Sequence, residues 1–113
     1  MVTDGIQRRN SPACKLARIQ ELATNQQVVY ESSRVELDVA NLNYSLSTVC
    51  DCICALTPDD FEESVLYPGS TVWYDVYKIT YIGVEPHVDS LYIKFTLSGN
   101  CLLVVLFSFH RDR

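Results

Sequence analysis

Tyr92, Lys94 and Thr96 recur at every second residue of the run Ser90-Leu-Tyr-Ile-Lys-Phe-Thr-Leu97. In an extended chain this spacing puts a phenol, an ammonium and a hydroxyl on one side, close enough to act on one ligand, and Leu91, Ile93, Phe95 and Leu97 on the other. A second run, from Cys101 to His110, ends in Ser108-Phe-His-Arg111 and brings an imidazole and a guanidinium to an open sheet edge or mouth. Tyrosine, histidine, lysine and arginine are side chains that can take a proton, return one and steady an extra negative charge. A third run, Thr71-Val-Trp-Tyr-Asp-Val-Tyr-Lys78, alternates Val72, Tyr74, Val76 and Lys78 with Trp73, Asp75 and Tyr77, and which set faces the core stays open.

Elements able to position these residues can be read along the chain. Ser11-Pro12 caps and opens a first helix reaching Ala23, with Leu16, Ile19, Leu22 and Ala23 at helical spacing. Gln26-Gln-Val-Val-Tyr30 reads as an edge strand, and a second helix is expected from about Ser33 to Ala40. Asn43 or Ser45 caps a third, with an apolar stripe of Leu46, Val49, Cys50, Ile53 and Cys54. Thr57-Pro58-Asp59-Asp60 carries the signals of a fourth helix start, which would turn Phe61 and Val65 inward and end before the breaker Tyr67-Pro-Gly-Ser70. The three strands follow, separated by Gly83 to Asp89 and by Ser98-Gly-Asn100, the latter expected as a tight hairpin. The implied architecture is α+β, with helices on one face of a small antiparallel sheet and the apolar side of the Leu91 strand against them.

At 113 residues the chain fits one domain over 1–113, with 1–11 expected to be flexible. A net charge of −5 opposes sequence-independent attraction to nucleic acid, so binding to DNA by itself is not expected. The charge is uneven, with Asp51, Asp59, Asp60, Glu62 and Glu63 in the middle and His110, Arg111 and Arg113 at the end, which leaves room for a local basic site. Arg8 and Arg9 precede no apolar segment of a secretory signal, and the apolar run from Cys101 to Phe109 is about half the roughly 20 residues a membrane helix needs. A cytoplasmic protein with no membrane contact is expected. The five cysteines, at 14, 50, 52, 54 and 101, read as free thiols, and those of the Cys50–Cys54 stretch as buried structural ones. Cys50-Asp-Cys-Ile-Cys54 lacks the usual zinc spacing, and neither metal nor other cofactor is expected; on a helix Cys50 and Cys54 would share a face and Cys52 would point away.

From Leu56 to His110 the chain carries Leu-Thr-x-x-Asp-Phe-x-x-Ser, Thr-x-Trp-x-Asp-Val-Tyr, Leu-Tyr-x-Lys-x-Thr and then Ser-Phe before a basic end. In order and spacing these segments resemble the MqsR family of toxin ribonucleases, partners in bacterial toxin and antitoxin pairs, which are similar in fold to the RelE class. The resemblance implies an endoribonuclease that cuts messenger RNA without a metal, by attack of the ribose 2′-hydroxyl on the phosphate, and that a cognate antitoxin restrains. It implies a catalytic tyrosine at Tyr92. The family's C-terminal lysine falls on His110, which can supply an acid or base near neutral pH, with Arg111 beside it as a phosphate clamp. The family's glutamine falls on Tyr74, able to donate a hydrogen bond or stack on a base. Lys94 and Lys78 complete the RNA-binding set. The family's lysine in its Phe-x-Lys-Ser pattern falls on Glu63, which reverses the charge there.

Each residue also has a plainer reading. Tyr92 and Tyr74 suit strands for their β-propensity alone, His110 suits a solvated tail, Lys94 a solvent-facing strand position, and Trp73 and Phe61 a core. The competing function is a catalytically inactive protein-binding module of the same fold, with an acidic helix from Asp59 to Glu63 docked on a basic partner and a sheet edge paired with another chain.

Overall fold

A computed structural model describes residues 4–82 and 88–112. Its strands are β1 (Gln7–Arg9), β2 (Val28–Tyr30), β3 (Phe61–Leu66), β4 (Trp73–Ile82), β5 (Val88–Leu97) and β6 (Val104–Arg111), and its helices are α1 (Leu16–Thr24), α2 (Ser33–Asn41) and α3 (Leu46–Cys54). The strands form one sheet in the order β1-β3-β4-β5-β6-β2, so the α+β expectation holds. The sheet is mixed rather than antiparallel throughout, because β2 runs parallel to β6 at one border. At the other border β1 pairs antiparallel with β3, which gives order to Gln7–Arg9 inside the stretch expected to be flexible.

The helices' apolar residues, Ile19, Leu22 and Ala23 of α1, Val35 and Val39 of α2, and Val49, Cys50, Cys52 and Ile53 of α3, share one core with Tyr77, Leu91, Ile93, Phe95 and Phe109 of the sheet. The alternation read in β5 is therefore met: Leu91, Ile93 and Phe95 are fully buried in this core. In β4 the set that turns to the core is the one holding Tyr77, whose ring stacks on Phe95 at 5.4 Å.

α1 starts later than Ser11-Pro12 suggests. The N–H groups of Ala13 and Cys14 donate to the carboxylate of Asp75 at 2.8 and 2.9 Å, which holds this segment on the sheet and lets the helix begin only after Lys15. α2 spans its expected residues, and Ser45 caps α3 by accepting from the N–H of Thr48 at 3.2 Å. All five cysteines are free; Cys50 and Cys52 are both buried, and Cys50 and Cys54 line one pocket on the face they were expected to share, although Cys54 is exposed.

The fourth helix does not form. Thr57 and Asp60 make the expected start, with the Thr57 N–H on the Asp60 carboxylate at 2.7 Å, but the turn over Pro58–Asp60 is a single 3₁₀ turn, and Phe61 already has extended geometry. β3 then pairs with β4, which sets Phe61 against Tyr77 at 5.5 Å and gives the Ser64 hydroxyl to Asp75 at 2.8 Å. Those tertiary partners outweigh a local start signal that one turn satisfies as well as a helix does. The β5–β6 connection runs over Ser98–Leu103, longer than a tight hairpin: the Ser98 N–H donates to the Leu103 carbonyl at 2.9 Å, and Cys101 takes a positive φ of 60°. Residues 83–87, most of the expected β4–β5 link, lie outside the described residues, and Asp89 belongs to β5.

A β-bulge in β6 decides which side chains meet. Lys94 pairs with Ser108 and Phe95 with Leu106, so Phe107 is an extra residue without a partner. Strict alternation from the buried Val104 and Leu106 would send Ser108 and His110 to the core and Phe109 away from it. The extra residue reverses the phase: Phe109 is fully buried, and His110 stands opposite Tyr92 on the other face.

Candidate functional site

On the sheet face opposite the Phe95 core, register places Lys78 of β4 beside Tyr92 of β5, and Tyr92 beside His110 of β6. The Tyr92 and His110 rings stack with centroids 5.1 Å apart and planes within 7°. His110 Nδ1 lies 2.9 Å from the Arg111 carbonyl oxygen. A carbonyl can only accept, so Nδ1 carries the proton of the neutral ring and Nε2 keeps its lone pair. Lys78 Nζ is 3.6 Å from the Asp112 carboxylate, and the lysine remains largely in water.

Lys94, one step along β5, is not the solvated lysine its alternation suggests, since it is only 8% exposed, and Thr96 beyond it is also buried. Its ammonium donates to the Tyr67 hydroxyl and lies 5.1 Å from the Tyr67 ring, 5.0 Å from Phe107 and 5.7 Å from Tyr92. Ring faces attract a cation through their quadrupole, so three aromatic side chains offset part of the hydration this ammonium loses. Tyr74 joins from β4, its ring 4.7 Å from Phe107 and 5.9 Å from Tyr67. Burial raises the Tyr74 phenol above its usual pKa, so it stays a neutral donor.

Five of the six residues singled out from sequence therefore share one face: Tyr92, His110, Lys94, Tyr74 and Lys78. Arg111 does not join them. It pairs with Leu91 on the core side, and its Nε donates to Asp89 at 3.1 Å, while the other Asp89 oxygen accepts from the Tyr44 hydroxyl at 2.6 Å. Burial and that bond to Asp89 both push the Tyr44 phenol upward, so it too remains a donor. The guanidinium is thereby held as a structural tie, though it borders, with His110, Arg34 and Asp38, a small groove between β6 and α2.

Three residues were not anticipated. Phe107 and Tyr67 enclose Lys94. Arg34 of α2 lines a groove of about 370 Å³ with Asp38, Phe107, Ser108 and His110, and its Nε lies 3.2 Å from Asp38. Their positions depend on a bulge, on the turn after β3 and on helix docking, none of which a local pattern encodes. Glu63 is on the same row as Lys94, through Val76, and Arg8 of β1 reaches it at 3.3 Å. The acidic stretch from Asp59 to Glu63 is thus a turn and a strand with one charge already paired, not the acidic docking helix of the binding-module reading. Among the described residues no group of three or more His, Cys, Asp or Glu could hold a metal ion, and no helix is long and apolar enough to cross a membrane.

A family model described as motility quorum-sensing regulator, toxin of MqsA, matches residues 11–111, nearly the whole chain. No curated protein matches this sequence.

Proposed function

We infer, since the chain belongs to the family of motility quorum-sensing regulators that are toxins of MqsA, that this toxin of a toxin–antitoxin pair acts as a metal-independent endoribonuclease on messenger RNA. The observation that carries this reading is the Tyr92–His110 stack, with Lys78 and Lys94 on either side of it. His110 Nε2, left free by the Arg111 carbonyl, takes the proton from the ribose 2′-hydroxyl as that oxygen attacks the neighbouring phosphorus. The Tyr92 hydroxyl gives a proton to the departing 5′ oxygen. The bond to that oxygen breaks as the cyclic phosphate forms, so protons and electron pairs balance without a metal. Lys94 and Lys78 steady the phosphorane charge, in an orientation fixed beforehand by the Tyr67 hydrogen bond and the sheet.

The layout we read is RelE-like, one domain with its helices over the Phe95 face and its chemistry on the other, working in the cytoplasm under the restraint of an antitoxin. Support comes from the single core shared by all three helices and from the placement of five site residues outside it. The Arg8–Glu63 pair speaks to the charge reversal, because Arg8 returns a cation to the row from which the family's lysine is missing.

The deciding experiment is incubation of the purified protein with a long messenger RNA in EDTA, with 5′ ends mapped, beside a Tyr92→Phe, His110→Ala double variant. Discrete cuts by the unaltered protein alone are expected. A folded protein that makes no cuts would sink the reading and leave the inactive binding module.

A further inference from the structure

Three aromatic rings lie around one ammonium, with a fourth, Tyr74, against two of them, and proton transfer by Tyr92 and His110 explains only Tyr92. Tyr67 and Phe107 stack on each other at 5.8 Å with 25° between planes, and Tyr74 leans on both. All three remain partly exposed, and none belongs to the core that the helices complete. Phe107 is the unpaired residue of the β6 bulge, the device by which a strand re-aims a side chain. The same bulge puts His110 opposite Tyr92, so one irregularity builds both the ring cluster and the catalytic pair. Lys94 Nζ, within 6 Å of Tyr67, Phe107 and Tyr92 alike, ties the cluster to the Tyr92–His110 stack.

An aromatic surface adjoining a cation is the pairing that unstacked nucleotides seek, base on ring and phosphate on charge. A base held in a duplex cannot present its face in this way. We propose that Tyr67, Tyr74 and Phe107 form a stacking platform for one unpaired nucleobase next to the scissile phosphate. This rests on the ribonuclease reading and adds to it the residues that hold a base of the substrate.

The test is fluorescence anisotropy with a short labelled RNA carrying 2′-O-methyl groups, which cannot be cut, as a single strand and as a duplex of the same sequence. The single strand should bind more tightly. Phe107→Leu and Tyr67→Leu should each weaken it by about 5- to 100-fold, the effect of losing one stacked base, and Phe107→Trp should restore binding. Removing single bases along the strand should reveal one position whose loss costs affinity in the unaltered protein but nothing further in Phe107→Leu. Circular dichroism of each variant reports folding separately. If the unaltered protein cuts and binds single strands while both leucine variants, folded, bind equally well, the platform is wrong and the ribonuclease reading stands. If the unaltered protein neither cuts nor binds RNA, both readings fall.

Discussion

Tyr92 and His110 face each other across β5 and β6 as register partners, their rings 5.1 Å apart and nearly parallel. Contact is between ring faces, so the phenol hydroxyl and Nε2 are not spent on each other. Tyr92→Phe keeps the stack and removes the hydroxyl, and His110→Ala removes the base. Each should slow RNA cleavage by about 100- to 10,000-fold with little change in melting temperature. Arg111→Ala should leave the rate within a few-fold of the unaltered protein, because that side chain serves Asp89. Rates on a labelled RNA in EDTA check all three, and a collapse of activity in Arg111→Ala would return the phosphate clamp to that residue.

Glu63 shares a row with Lys94, and Arg8 is its partner. Glu63→Lys should release Arg8 and add a cation to the face on which we place the RNA. Binding should tighten, and the slope of log affinity against log salt should steepen by about one contact. Titrations at several salt concentrations measure this; an unchanged slope would mean that RNA does not pass over β3.

Asp75 is fully buried and accepts from the Ala13 and Cys14 N–H groups and from the Ser64 hydroxyl. Asp75→Ala would strand the buried Ser64 hydroxyl and the partly buried N–H groups of Ala13 and Cys14, and release the segment that leads into α1, at a cost of about 3–5 kcal/mol. Ser64→Ala loses one bond and should cost about 1 kcal/mol. Urea unfolding of both variants gives the comparison, and near-equal losses would show that Asp75 does not anchor the segment.

Burial pushes the Cys52 thiol from 9.0 up to about 12, and the Tyr77 phenol from 10.0 to about 12. Both groups are neutral when protonated, so the folded state holds their protons more firmly than the unfolded chain does. Their contribution is fully present below pH 9.0 and drains away as the pH climbs toward about 12. The urea midpoint should be level at neutral pH and fall above pH 9.0, while Cys54 and Cys101, both exposed, react with a thiol reagent well before Cys52 does. A midpoint unchanged across the alkaline range would contradict this.

Much of the site can be read from the sequence where strands are regular. β5 and β4 keep strict register with each other, so the alternation of Tyr92 with Leu91 and Ile93 translates directly into faces. β6 does not. Its apolar run from Val104 to Phe109 contains no glycine or other mark of a bulge, yet the extra residue at Phe107 inverts everything after it, so that His110 rather than Arg111 joins the face of Tyr92. The start signal at Thr57 failed for a related reason: caps and dipoles act over a single turn, and the conformation beyond that turn is settled by partners distant in sequence, Tyr77 and Asp75. The position of Tyr67 over Lys94 has the same character, since the Pro68–Gly69 turn announces a break in the chain but not where the preceding ring will land.

The two short border strands have a bearing on when this protein can harm its host. β2, made early, pairs only with residues 104–106, and β1 waits for β3. Such distant pairing makes loop closure costly and folding late. Ribosome-bound chains that stop before Val104 should therefore be digested readily by protease, whereas chains extended past Arg111 and clear of the exit tunnel should resist it. Resistance in the shorter chains would refute this order. His110 belongs to β6, so the Tyr92–His110 pair exists only once β6 has been made and has joined the sheet, which gives an antitoxin a defined moment to meet the folded toxin.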